Sequence, residues 1–421
     1  MKSLLKWLVT AAFNLLLLLL CLEVGGVLLF AARSGKLLYF RQAGRAEVEL
    51  KELNPFMSGD FRGVVHPYFG FSFKPNRGRV AYVTPNNHNF LFHPEYVLRH
   101  PGCCDYPITQ SDAGEVVVGV FGGSVAAALA VRMQENETLR QNIAAGFGGK
   151  HVRVLSFALG GHKQPQQLMI LTYYLSLGQV FDVIINVDGF NEIITSTGNV
   201  DAGTEANFPG LYMWRRLVDF LDQQASQAHS PEGVLANYHT LMLPRWERHV
   251  ANCRSGVCYS IARLIESWHR YNAMGENSEG REPFFFQVDP APSTKLRHLD
   301  IAAERWAAAS VLMAQMARSR GAIYLHILQP NQFYRQTTPY QPRETDSVAD
   351  YFRRTVPPGY EAFRAKGREL HQRGVNFFDA SEILDVEPND IYSDDVGHFT
   401  PRGYDILAGA IARALSARSA D

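Results

Sequence analysis

A three-layer α/β/α sandwich around a mainly parallel sheet is the fold class this sequence predicts, and three observations predict it. Apolar runs without polar alternation recur: Val116 to Phe121, Val152 to Phe157, Asp182 to Val187, Ala322 to Leu328 and Val375 to Phe378. Stretches of helical spacing lie between most of them. The first three runs each lead into a glycine-containing turn, "GGS", "GGH" and "DGFNE". Strands buried on both faces read as continuous apolar runs, and alternation with helices implies a parallel sheet covered on both sides.

The elements follow in chain order. From about Trp7 to Ala32 the chain is nearly all apolar, with six leucines at Leu15 to Leu20. About 25 helical residues at 1.5 Å each span a hydrocarbon core of about 30 Å with some tilt. Ala31-Ala32-Arg33 is a poor cleavage site, so residues 1–32 are expected to be an uncleaved signal anchor. Asn14 and Glu23 inside it need a partner, a protonated carboxyl or a position near the end. Basic residues lie on both sides of the helix (Lys2 and Lys6, then Arg33, Lys36, Arg41 and Arg45), so charge does not set the orientation. Residues 33–114 carry aromatic and proline residues without a long period and read as a stem and irregular lead-in. Residues 115–421 carry the α/β pattern. In them Ala126 to Ala145 and Pro165 to Leu177 are expected helices, and about 195–300 is a largely helical insertion. A helix from Ile301 to Ser319 follows, and Thr400-Pro401 opens the last one as N-cap and N1.

Composition removes several function classes. The 421 residues hold 41 Lys plus Arg and 41 Asp plus Glu, a zero formal charge that argues against a nucleic-acid binder. No GxxxxGK[ST], CxxC or HExxH pattern is present, so ATPase, zinc-finger and zincin readings lack their anchors. Val118-Gly119-Val120-Phe121-Gly122-Gly123 does not fit the GxGxxG spacing of dinucleotide binding. Outside the apolar stretch the cysteines number four: Cys103, Cys104, Cys253 and Cys258. That even count is compatible with disulfides in an oxidising compartment or with four thiols, and spacing does not assign partners.

Ligands of open parallel sheets sit beyond the carboxyl ends of the strands, so the residues there carry the functional question. Ser124 follows the first strand, Gly161 the second and Asn191 the third. Asp395 and His398 lie just ahead of the last helix, with Asp394 able to stand in for Asp395. A serine hydroxyl is a weak nucleophile until a histidine takes its proton, and the histidine needs a carboxylate to fix its tautomer. The oxyanion formed by addition to a carbonyl needs preorganised donors. Ser124 N–H, Gly161 N–H and the Asn191 amide could supply them. Taken singly these residues have plainer readings: a helix cap, a turn and a polar loop residue. His162 and Lys163 are expected to be exposed loop residues, and Asp188 and Glu192 local braces. Of Trp214, Trp246 and Trp268, at least two are expected in core packing, with sugar stacking the other use. The sequon Asn136-Glu137-Thr138 falls in an expected helix and carries little weight.

Together these pieces resemble the SGNH hydrolases, the superfamily of GDSL-type esterases and lipases. Gly122-Gly123-Ser124-Val125 is similar to the nucleophile block, "VLSFALGGHKQ" to the second, Gly189-Phe190-Asn191-Glu192 to the third, and Asp395 to His398 to the Asp-x-x-His block. Gly123 and Glu192 depart from the aspartates usual there. The likeness covers about Val116 to Ile194 and Ala322 to Ala417. It implies the flavodoxin-like SGNH fold and a catalytic set of Ser124, His398 and Asp395, with Ser124, Gly161 and Asn191 as oxyanion donors. It also implies hydrolysis of an O-acyl ester, often acetyl on a carbohydrate, without metal or cofactor. The expected partners are a membrane, through the N-terminal helix, and an ester or acylated glycan outside the cytoplasm. The same residues suit acetyl transfer to a polysaccharide, and a catalytically silent glycan-binding subunit could share the fold.

Overall fold

The computed structural model describes residues 2–34, 38–40, 63–73, 83–211, 238–239, 242–243, 245–246, 249–250, 252–273, 297–335, 337, 340 and 347–416. The chain divides into two compact units. The larger comprises Leu50–Leu217, Phe285–Gln341 and Val348–Asp421, and it contains every candidate site residue.

Its lead-in holds two short antiparallel hairpins, β1 (Gly63–His66) with β2 (Gly70–Phe73) and β3 (Thr84–Pro85) with β4 (Leu91–Phe92). Phe69, Phe90, Phe92, Tyr96 and Tyr106 from this region are buried in the larger core, so the lead-in is part of the domain's packing. The central sheet has five parallel strands: β5 (Glu115–Gly122), β6 (His151–Ala158), β7 (Val183–Asp188), β8 (Ile323–Leu328) and β9 (Phe377–Asp379). Their order across the sheet is β6-β5-β7-β8-β9. The expected parallel sheet is therefore present, and the order reverses at β5, which is where such sheets open a crevice for ligands.

Burial on both faces follows from the strand sequences. Val116, Val118 and Val120 point into one core and Val117 and Phe121 into the other. The first core holds helices α3 (Ser124–Glu135), α4 (Glu137–Ala145) and α10 (Pro401–Ser416), numbering α1 (Lys2–Ser34) and α2 (Pro94–Arg99) before them. The second holds α5 (Gln166–Ser176), α8 (His298–Ser319) and α9 (Ser347–Gln372). The remaining helices are α6 (Phe190–Asp201) and α7 (Gly256–Ala273).

Two elements depart from expectation. The single helix expected over Ala126 to Ala145 is two, because Asn136 is extended and its side chain accepts from Thr138 N–H to cap α4. The sequon asparagine is thus a helix cap. The 26 residues of α9 pass through Pro357-Pro358, a pair that ordinarily ends a helix and masked this one in the sequence.

The smaller unit comprises Met1–Glu49, Val218–Phe284 and Pro342–Ser347. In it α1 contains an apolar run, Val9–Ala32, long enough to cross a membrane. Glu23 on α1 has partners: one carboxylate oxygen accepts from Val257 N–H of α7 at 2.8 Å and the other from the Tyr39 hydroxyl. Cys253 pairs with Cys258 here, and Cys103 with Cys104 in the larger unit. Trp246 is half-buried and Trp268 is 55 % exposed on α7, so core packing does not hold both; Trp214 lies outside the described residues.

Candidate active site

Ser124 sits where β5 turns into α3. Gly122, the last residue of the strand, has φ +140°, and a Cβ there would lie 2.0 Å from Val187 O. Only glycine fits that bend. The next residue, Gly123, is the N-cap, and no side chain caps the helix. Ser124 is the first helical residue, which frees its hydroxyl. A Cβ on Gly123 would fall 2.3 Å from Asn191 Nδ2. A side chain at that position would have to displace the Asn191 amide.

His398 comes to Ser124 from the loop ahead of α10. Its Nε2 lies 2.7 Å from Ser124 Oγ, and its Nδ1 lies 2.5 Å from Asp394 Oδ2. The carboxylate is therefore supplied by Asp394, and the expectation for Asp395 is corrected. The loop is pinched shut by the Tyr392–Phe399 bridge and by Ser393 N–H donating to His398 O at 2.8 Å. Inside this pinch Asp394 Oδ1 accepts from Val396 N–H (2.9 Å) and His398 N–H (3.1 Å), which aims Oδ2 at the ring. Asp395 faces the other way, where its carboxylate accepts from the Tyr340 hydroxyl. Gln332 Nε2 donates to Asp394 O at 3.0 Å and holds the turn from β8. Burial raises the Asp394 pKa, but the charge and hydrogen bond of His398 and the two backbone donors outweigh it. The net position lies below the usual carboxylate range.

The second and third blocks meet beside the serine. Gly161 has φ +78°, and Asn191 Nδ2 donates to His162 O at 2.9 Å, leaving its second amide hydrogen over. Among the described residues the N–H groups of Ser124 and Gly161 donate to no backbone acceptor. Glu192 ties the two loops together: one oxygen accepts from Gln164 N–H (2.8 Å) and Gln167 Nε2 (3.2 Å), the other from Gly189 N–H (2.7 Å). Burial, with Asp188 nearby, pushes its pKa up. Asp188 braces the sheet end, accepting from Trp306 Nε1 (2.7 Å) and Asn186 Nδ2 (2.6 Å) and facing His326 Nε2 at 2.8 Å.

His162 and Lys163 are fully buried, against the expectation of exposure. The His162 ring reaches Phe71 O at 3.0 Å, and burial pushes its pKa down to about 3. Lys163 Nζ donates to Ser196 Oγ at 3.0 Å and to Ala206 O, and burial brings it down to about 7. These side chains lock the loop from below, and its His162 carbonyl takes the Asn191 amide. The sequence signal was the run of polar residues after Gly161, which reads as surface unless the lead-in is known to cover it. Among the described residues no group of three or more His, Cys, Asp or Glu side chains could hold a metal ion.

A cleft opens beside Ser124 and His398, between α3, the β3–β4 hairpin and the start of α10. Its cavity volume is about 70 Å³, and its mouth is open to solvent.

No family model and no curated protein match the chain. Among solved structures it is similar to one assigned as an acylhydrolase from Bacteroides fragilis, at 10 % identity and a TM-score of 0.35, over 77 % of this chain and 95 % of that one. A lipase/acylhydrolase from Enterococcus faecalis gives 11 % identity and a TM-score of 0.34, over 72 % and 96 %. Likeness at this level leaves the chemistry to the side chains themselves.

Proposed function

We propose that the chain is a serine ester hydrolase of the SGNH type, with Ser124 as nucleophile, His398 as base and then acid, and Asp394 as orienter. The observation that carries this reading is the continuous chain of contacts from Asp394 Oδ2 through both His398 nitrogens to Ser124 Oγ. Ser124 Oγ attacks the ester carbonyl carbon while His398 Nε2 takes its proton. The negative charge gathers on the former carbonyl oxygen, within reach of Ser124 N–H, Gly161 N–H and the Asn191 amide. His398 then gives its proton to the leaving alcohol oxygen, and the acyl group stays on Ser124. Water attacks the acyl-enzyme, loses its proton to His398, and the carboxylic acid departs as Oγ recovers the proton.

The proposal extends to location. The apolar helix α1 supports a membrane anchor, and the Cys103–Cys104 pair supports an oxidising compartment for the larger unit. The family resemblance suggests an acylated glycan, whereas the triad requires only an ester, so the surface beside the triad and not the resemblance sets the substrate class. The test is turnover of small carboxylic esters by the full chain, scored as acid released to water and as acyl transferred to an added alcohol. Ser124→Ala should remove both activities while thermal unfolding stays unchanged. Equal turnover by Ser124→Ala would contradict the proposal.

A further inference from the structure

We infer that the cleft beside His398 seats the alcohol half of the ester, and that this half is apolar and not anionic. This rests on the ester-hydrolase reading and adds to it the direction in which the substrate lies. The reasoning starts from the tetrahedral centre, whose four substituents are Ser124 Oγ, the oxyanion, the leaving oxygen and the acyl carbon. The oxyanion points toward Gly161 and Asn191. The leaving oxygen must face His398 Nε2, because that atom protonates it. The alcohol half therefore begins beside His398. The cleft is lined by Ser124 and His398 but by neither Gly161 nor Asn191, so it opens on the leaving-group side.

Its walls decide the chemistry. Val83, Leu91, Ala127, Ala128, Val131 and Phe399 make most of the lining carbon, with Ser393 adding a hydroxyl. The two alanines are what leave the space open. Arg132 and Glu135 lie on the cleft too, but they offer no free positive charge. Arg132 Nε and one terminal nitrogen each donate to Asp405 at 2.8 Å, and the other terminal nitrogen donates to Glu135 at 2.5 Å. All three guanidinium nitrogens are thus spent on clamping α3 to α10, and an anionic alcohol finds no cation to meet it. An alkyl or similarly apolar alcohol fits; a polyhydroxyl group would leave its hydroxyls facing carbon.

The experiment compares two series on the full chain: acetate esters with alcohols from methyl to hexyl, and methyl esters with acyl groups from acetyl to hexanoyl. Burying each methylene of the alcohol should raise kcat/KM about fourfold until the cleft is full. The acyl series should stay within about threefold, since that chain leaves by another direction. Ala128→Leu should cut the hexyl-to-methyl acetate ratio at least about tenfold by filling the cleft. Val131→Thr, which keeps the shape and adds a hydroxyl, should lower the same ratio and guards against a folding failure in the first variant. A rise with acyl length instead, an unchanged ratio in both variants, or preference for an acetylated monosaccharide over hexyl acetate would overturn the assignment while leaving the hydrolase reading standing. No turnover of any ester, together with a Ser124 that does not react with a fluorophosphonate, would overturn the hydrolase reading and this inference with it.

Discussion

At the scale of single residues, Asp394 and Asp395 show how adjacent carboxylates acquire different tasks. The sequence pattern Asp-x-x-His points to Asp395, but a side chain's direction depends on the turn that carries it. Asp394 wraps the N–H groups of Val396 and His398, while Asp395 is held by Tyr340 on the outside of the turn. Asp394→Asn should therefore lower kcat by about three to four orders of magnitude through the wrong histidine tautomer. Asp395→Asn should cost less than about tenfold, because its carboxylate meets Tyr340 and not the His398 ring. Steady-state kinetics on both variants decides, and the reverse ranking would restore Asp395. Asn191→Ala removes one oxyanion donor and should cost about two to three orders of magnitude in kcat. A loss under about threefold in a folded variant would take Asn191 out of that role. The placement of Ser124, Gly161, Asn191 and His398 at the ends of strands or ahead of a helix was legible in the sequence, because the pattern of those elements is plain. The choice between the aspartates was not, since it depends on a bridge between Tyr392 and Phe399 that no local pattern announces.

At the scale of elements, the loop after β6 is set from below. His162 and Lys163 look like solvated loop residues in the sequence, yet the β1–β2 hairpin covers the first and α6 with Ala206 receives the second. That information lies about 90 residues away from His162, which is why a local reading misses it. The helix break at Asn136 and the Pro357-Pro358 helix were hidden for the opposite reason: the first turns on a local cap that helical spacing does not announce, and the second runs through a proline pair that ordinarily ends a helix. The buried His162 has a consequence for stability. Its native pKa is pushed down to about 3, whereas the unfolded ring takes up a proton near 6.5. Between those values the unfolded state binds more protons, so this group's contribution to stability falls as the pH is lowered from about 6.5 toward 3. His162→Gln keeps a donor for Phe71 O and removes the titration. Urea unfolding should show the wild type losing more free energy than His162→Gln between pH 6.5 and pH 4. A difference between the two that does not change with pH would contradict the assignment.

At the scale of the whole molecule, five continuous apolar strands and the helices between them specify the three-layer domain, and the strand order puts Ser124 and Asn191 on either side of the reversal at β5. The parallel sheet was legible because strands buried on both faces leave a strong apolar signal. The partition of the chain was less so. The segment Val218–Phe284 belongs with the N-terminal helix and not with the sheet, a pairing of stretches about 200 residues apart. The central claim, one activated serine in 421 residues, is a statement about the whole chain and is best tested on it. The full-length protein would be treated with a fluorophosphonate, digested, and every serine mapped by mass spectrometry, beside Ser124→Ala and His398→Ala. The account predicts modification confined to Ser124 and lost in both variants. A folded protein that stays unmodified, or one modified elsewhere and unaffected by His398→Ala, would contradict it.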